Sequence, residues 1–239
     1  MEIDKLKKLL TRFGSNVIFN QNLKKKNWFN IGGEAKVFFK ANNLKDLVDF
    51  LKTINNQEKI SIVGAGSNIL ITDDLFDGAI IKLGKNFNNI SLMKEDIIIS
   101  GTAVLDKKLS DFAAEKNLSG FEFLSCIPGS IGGGIKMNAG CFEKEFKDIL
   151  ISVQAIDLSG KVFTIPAKEI NFEYRNNDLP ENLIFLSASF KGTKDTYKNI
   201  TDKMDKLKFE KEKNQPTKIK TSGSTFKNPI TQTDKKVWE

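Results

Sequence analysis

Ile127-Pro128-Gly129-Ser130-Ile131-Gly132-Gly133-Gly134-Ile135-Lys136-Met137-Asn138-Ala139-Gly140 concentrates glycine at 129, 132, 133, 134 and 140. Each glycine in an ordered chain costs backbone entropy, so this density asks for a reason. A flexible linker would not be punctuated by Ile127, Ile131, Ile135 and Met137. Small residues between apolar anchors suit a rigid backbone pressed against a flat cofactor.

Upstream, Gly64-Ala65-Gly66-Ser67-Asn68 follows the short apolar run Ile60 to Val63. That is where a phosphate-binding turn belongs. No third glycine follows, and Ile69-Leu70-Ile71 reads as strand, so the nicotinamide-type fingerprint is not met. An anion there would be held by successive backbone N–H groups, with the Ser67 hydroxyl and Asn68 amide assisting. On this segment alone a phosphate turn and a plain tight turn fit equally well. Taken together, the two loops read as the halves of a dinucleotide cradle for a flavin.

Periodicity around the loops mixes helices with strands. Ile3, Leu6, Leu9, Leu10 and Phe13 mark an amphipathic N-terminal helix. Ala35 to Lys40 reads as a strand, Asn43 as the cap of a helix through Leu44, Leu47, Val48, Leu51 and Ile54, and Ile60 to Val63 as the strand that completes a βαβ unit. Ala79 to Leu83 is a further strand, and Asn86 to Asp96 a polar link. Beyond it come a strand at Ile97 to Ser100 and a helix over Leu105 to Lys116. Ile151 to Asp157 and Lys161 to Ile165 form a hairpin through Ser159-Gly160, and Leu183 to Phe190 is a strand. Thr196 to Lys213 is helical, ended by Pro216. Hairpins among the helices argue α+β over a doubly wound sheet.

Composition removes several classes. No apolar run reaches the roughly 18 residues of a membrane-spanning helix, and Met1-Glu2-Ile3-Asp4-Lys5 lacks the basic start of a secretory signal. A cytoplasmic location is expected. Cys126 and Cys141 form no CxxC motif and read as small buried thiols rather than a redox couple. Histidine is absent, which removes the commonest metal ligand, the commonest general base and any flavin tether through imidazole. No metal is expected. The net charge of +7 is spread along the chain, and only Lys24-Lys25-Lys26 and the region from Lys203 to Lys220 are locally dense. No nucleic-acid-reading motif accompanies it, so neither nucleic acid nor membrane is an expected partner.

Two further clusters carry polar chemistry. Thr221-Ser222-Gly223-Ser224-Thr225-Phe226-Lys227-Asn228-Pro229 reads either as a hydroxyl-rich turn or as a hydroxyl presented beside a lysine and an amide. Tyr174-Arg175-Asn176-Asn177 by itself would suggest only a surface ion pair.

In their order along the chain, these pieces resemble the UDP-N-acetylenolpyruvoylglucosamine reductase (MurB) family of bacterial cell-wall flavoenzymes. The resemblance rests on Phe29-Asn30-Ile31-Gly32-Gly33, Gly64 to Leu70, Ile127 to Gly133 with Asn138-Ala139-Gly140, Tyr174-Arg175, and Gly223 to Pro229. It implies a two-subdomain FAD-binding fold of the p-cresol methylhydroxylase (PCMH) type, with subdomains over 1–85 and 86–192. A substrate-binding α+β domain would begin at 193–239.

The resemblance also implies non-covalent FAD, NADPH as reductant, a UDP-sugar substrate and a monomer. Gly64, Gly66, Ser67, Asn68, Pro128, Gly129, Ser130, Ile131, Gly132, Gly133, Asn138 and Gly140 would contact the flavin cofactor. Arg175 would hold the substrate carboxylate as charge develops there, and Ser224 would donate the proton. Tyr174, Lys227 and Asn228 would contact substrate, with Lys227 placed to stabilise the serine alkoxide. The chain departs from the family at Trp28, where threonine is usual, and at Asn177, where serine often follows the arginine.

The family's late catalytic glutamate has no counterpart, because Glu239 does not stand in the matching context. The expectation that follows is an incomplete third domain. The function the resemblance implies is NADPH-dependent, FAD-mediated reduction of UDP-N-acetylglucosamine enolpyruvate; its alternatives are a flavin-binding remnant without turnover because that glutamate is missing, or another oxidoreductase on the same scaffold.

Overall fold

The computed structural model describes residues 3–54 and 58–214. Two sheets organise them. The first contains β1 (Val17–Asn22), β2 (Glu34–Ala41), β3 (Lys59–Ile62) and β4 (Phe76–Leu83), in the spatial order β1-β2-β4-β3. β1 and β2 are antiparallel; β2, β4 and β3 run parallel. The second sheet contains β5 (Ile90–Lys94), β6 (Ile97–Gly101), β7 (Leu150–Ile156), β8 (Val162–Pro166) and β9 (Ile184–Lys191). Its order is β8-β7-β9-β6-β5, antiparallel throughout. The α+β expectation is met.

Helix α1 (Ile3–Phe13) and helix α2 (Leu44–Ile54) cover the first sheet. Asn43 begins α2 by accepting a hydrogen bond from the Asp46 backbone N–H through its side-chain oxygen. The apolar stripe of α2 buries Leu47, Phe50, Leu51 and Ile54. Phe50 stacks on Phe39 of β2, with ring centroids 4.0 Å apart, and Phe13 of α1 meets both rings. Leu10 faces outward, 48% exposed, so the apolar stripe of α1 is narrower than its periodicity predicts. Ile156, Ile184 and Leu186 complete this same core from the second sheet.

Three sequence expectations change. The strands of the expected βαβ unit lie in one sheet and run parallel, but β4 is inserted between them. Ile69-Leu70-Ile71 is loop, not strand; Ile69 and Ile71 pack against Leu23, Phe38 and Ile80 while Leu70 stays 71% exposed. The polar link from Asn86 to Asp96 contains β5, an edge strand whose side chains are exposed after Ile90, so it carries almost no apolar signal.

The second sheet packs against α3 (Asp106–Glu115) and α4 (Ile131–Lys136) around Phe121, Phe123, Phe146 and Phe190. The hairpin β7-β8 turns where expected: the Asp157 carboxylate accepts from the Ser159 and Lys161 backbone N–H groups. Those bonds and the Ser159 hydroxyl hold the Asp157 carboxyl below its ordinary pKa, the hydroxyl contributing most. Helix α5 (Tyr197–Asn214) buries Ile200 and Met204 against Ala114 of α3.

Candidate active site

A cleft of about 1850 Å³ opens between the two halves. It is lined by β3, Gly64 to Ile69, Lys82, Thr102, Asp106, Pro128 to Ser130, Gly132 to Gly134, Gly140 to Glu145, Tyr174 and Arg175. The two glycine loops separated by some sixty residues of sequence therefore meet. A methyl group on Gly64 would collide with the Ser130 hydroxyl, so the absence of a side chain there permits the approach. Gly66 adopts φ +73°, and its carbonyl accepts from the Trp28 N–H at 3.0 Å. Trp28 thus fastens the first loop through its backbone, which leaves its side chain free to differ from the usual threonine.

Among the described residues, no protein acceptor meets the backbone N–H groups of Gly64, Ala65, Gly66, Ser67 or Asn68. Five successive donors without a protein acceptor, in residues that line the cleft, are available to an anion bound there. The second loop supplies the facing wall in an unexpected form: Ile131–Lys136 is a short helix despite its glycines. Ile131 and Ile135 are fully buried beneath it, as the apolar anchors predict. Gly134 faces Phe146, whereas Gly133 faces the cleft, with no atom nearer to its missing Cβ than the Ser130 hydroxyl at 3.8 Å. A wall of bare backbone opposite an N–H nest fits a dinucleotide, whose rings stack flat and whose diphosphate accepts hydrogen bonds.

Ten of the twelve expected cofactor contacts line this cleft. Ile131 and Asn138 do not. Ile131 is core. Asn138, fully buried at φ +38°, donates to Glu145 Oε2 (2.9 Å) and the Glu173 carbonyl (3.0 Å) and accepts from the Lys147 N–H. Its side chain braces the loop from behind.

Tyr174 and Arg175 are the two central residues of a tight hairpin, Phe172–Glu173 with Asn176–Asn177. Arg175 takes φ +59°, and its Nη2 donates to the Gly140 carbonyl at 2.7 Å. The guanidinium also lies 3.6 Å from the Glu145 carboxylate and 4.8 Å from the Tyr174 ring centroid. This is more than the surface ion pair the sequence alone suggested, because it fixes the cleft's second loop. Asn177 donates to the carbonyls of Ile135 (3.0 Å) and Lys136 (2.8 Å), capping the end of α4. Ser224, Lys227 and Asn228 lie outside the described residues.

Sequence reasoning missed three features of the cleft. Lys203 of α5 reaches Glu122 (3.8 Å) and Asp195 (2.9 Å), and the Lys211 ammonium donates to the Cys126 carbonyl, so α5 closes one end. The Cys126 and Cys141 thiols are near enough to perturb each other's ionisation, Cys126 buried and Cys141 only partly so. Asp106 is fully buried at the cleft wall, and among the described residues neither carboxyl oxygen has a hydrogen-bond partner. An acid at the start of a helix is ordinary; nothing in the sequence marked this one as buried without a protein partner.

Burial pushes the Asp106 carboxyl well above its ordinary pKa. The folded protein holds the Asp106 proton to higher pH than the unfolded chain, which ionises at about pH 4. Stability contributed by the neutral acid is therefore complete below that pH and declines as pH rises toward the folded value. Asp106→Asn cannot ionise and should escape that decline. Its melting temperature relative to the original protein is expected to climb as the pH is raised above about 4, until the folded Asp106 itself ionises. Parallel melting curves across that range would refute the buried-acid assignment.

The comparisons with known proteins agree with this geometry. The FAD binding domain family matches residues 35–166. The UDP-N-acetylenolpyruvoylglucosamine reductase of Pelagibacter ubique is 62% identical over the whole chain, which covers 79% of that protein. The Rickettsia typhi enzyme of the same name is 46% identical over 87% of the chain and 70% of its own length. Among solved structures, MurB from Thermus caldophilus superposes with a TM-score of 0.77 at 28% identity, over 89% of this chain and 74% of that one. p-Cresol methylhydroxylase shares the fold alone, with a TM-score of 0.60 at 14% identity over 82% of this chain and 44% of that one. With its α+β FAD-binding fold of the p-cresol methylhydroxylase type, the chain belongs to the UDP-N-acetylenolpyruvoylglucosamine reductase family of flavin-dependent oxidoreductases.

Proposed function

We propose that this chain binds FAD non-covalently in the cleft and, with NADPH as reductant, reduces the enolpyruvyl ether of UDP-N-acetylglucosamine to UDP-N-acetylmuramate for peptidoglycan synthesis. The observation that carries the reading is the unpaired N–H array of Gly64 to Asn68 facing the bare backbone at Gly133. Bound FAD supplies the hydride chemistry, which no amino-acid side chain can perform.

The protein's part is binding, orientation and charge. The 64–68 array holds the diphosphate, and Pro128 to Gly133 press against the cofactor where side chains would block it. Arg175, already oriented by Gly140 and Glu145, stands at the cleft to meet a substrate carboxylate, with Tyr174 beside it. A preorganised donor of this kind contributes about 3–4 kcal/mol where charge builds in a transition state. From the family resemblance, Ser224 delivers the proton to the carbon next to that carboxylate, with Lys227 stabilising the alkoxide and Asn228 contacting substrate. In this reading the segment from 193 opens the substrate-binding part, and the protein acts as a cytoplasmic monomer. No helix among the described residues is long and apolar enough to cross a membrane.

The purified chain, mixed with FAD, should retain flavin absorbance through gel filtration. It should consume NADPH only when the enolpyruvyl UDP-sugar is present. Failure to retain flavin removes the reading at its first step. Equal NADPH consumption without the sugar would instead indicate a different oxidoreductase on this scaffold.

A further inference from the structure

Cys126 and Cys141 flank the glycine-rich segment: one precedes Ile127, the other follows Gly140. Cys126 ends the short 3-10 turn Glu122–Cys126, and Cys141 lies in the two-residue strand Gly140–Cys141 packed against that turn. Both line the cleft. The turn and the strand are in contact, and each thiol is the leading influence on the ionisation of the other. None of the roles above uses either thiol.

The surroundings treat the two sulfurs unequally. Cys126 lies beside the Cys141 thiol and 3.7 Å from the Ser125 hydroxyl, and both favour its thiolate. The ammonium groups of Lys211 and Lys208 on α5 add positive charge, and together these hold Cys126 below the ordinary thiol range, at about 6, against the opposing effect of burial. Cys141 is pushed upward by the neighbouring Cys126, with burial adding, while Lys211 and Arg175 oppose the rise. Cys126, buried beside the Lys211 ammonium that grips its carbonyl, is the better placed of the two to carry negative charge, and the more exposed Cys141 stands next to it.

We propose that Cys126 and Cys141 form a modification site for hydroperoxides, closing to an intramolecular disulfide that ties the two ends of the cofactor-facing segment together. The Cys126 thiolate attacks the peroxide O–O bond and takes up one oxygen as sulfenic acid, and the other oxygen leaves as water once protonated. The Cys141 sulfur then attacks the Cys126 sulfur, the S–O bond breaks, and hydroxide departs with the Cys141 proton as a second water. Two thiols lose two hydrogens and two electrons; one peroxide is reduced to two waters. The pairing rests on the two thiols and stands independently of which substrate the flavin site reduces.

The test is peroxide titration of the full chain carrying FAD, with thiol counting and intact mass as readouts. One equivalent of hydrogen peroxide should remove both thiols together, lower the mass by two hydrogens and leave a monomer on a non-reducing gel. Dithiothreitol should restore both. In Cys141→Ser, a dimedone-reactive sulfenic acid should accumulate on Cys126. In Cys126→Ser, loss of the remaining thiol should slow by about tenfold. The proposal is overturned if oxygen adds to one cysteine while the other still titrates, if the product is a disulfide-linked dimer, or if both thiols survive. Equal oxidation rates in the two single variants would overturn the assignment of Cys126 as the attacking sulfur. Because wild-type mass and thiol count come first, misfolding of a variant leaves the central claim tested.

Discussion

Gly134→Val is expected to be the most destabilising single substitution in the glycine-rich segment. A Cβ at 134 would overlap the ring of Phe146, which is fully buried and meets Phe123 and Phe190 edge-on at 6.2 and 6.1 Å. The ring cannot move without displacing two others, so the overlap is paid in strain through the whole cluster. The cost should reach about 3 kcal/mol, at the upper end for overpacking. In a protein of this size that corresponds to a fall in melting temperature of roughly 6–12 °C. A melting temperature within a degree or two of the original would show that the second core yields more readily than its packing implies.

One residue earlier the outcome reverses. Gly133→Leu points a side chain into the cleft, where nothing of the protein opposes it and the helix gains a better helix former. The apoprotein should melt at or slightly above its original temperature. FAD affinity should drop by at least about 100-fold, or ~2.7 kcal/mol, because the leucine fills the space the cofactor needs. Titration of apoprotein with FAD, followed by fluorescence quenching, measures this directly. Unchanged affinity would mean that the cofactor lies elsewhere in the cleft. Adjacent glycines with opposite phenotypes would separate glycine kept for packing from glycine kept for a ligand.

That separation was not legible in the sequence, although the importance of the segment was. Glycine density and apolar punctuation singled out residues 127–140, most of which line the cleft, but a helix through Gly132-Gly133-Gly134 contradicts glycine's own propensity; neighbouring atoms crowd Gly132 and Gly134, whereas Gly133 is open. Strongly patterned elements such as α2 and the β7-β8 hairpin could be read locally, since a cap or a turn residue announced each. The edge strand β5 could not be, because exposed side chains leave no alternation to detect. The meeting of Gly64 with Ser130, the approach of the Cys126 and Cys141 segments and the burial of Asp106 are products of long-range packing that no local pattern encodes. Arg175 was legible only through the family resemblance. Its left-handed backbone and its grip on Gly140 are visible only once the hairpin is formed.

The shared core of the two halves bears on how the chain is made. The first sheet and its helices take their last buried residues, Ile184 and Leu186, from a strand synthesised about a hundred residues after β4. During translation the strands of the first sheet therefore emerge well before the residues that complete their core. That core can be completed only when β9 emerges, takes its place in the second sheet and packs Ile184 and Leu186 against the first. Order of synthesis and order of burial are out of step, and the late strand acts as the seam that closes both lobes.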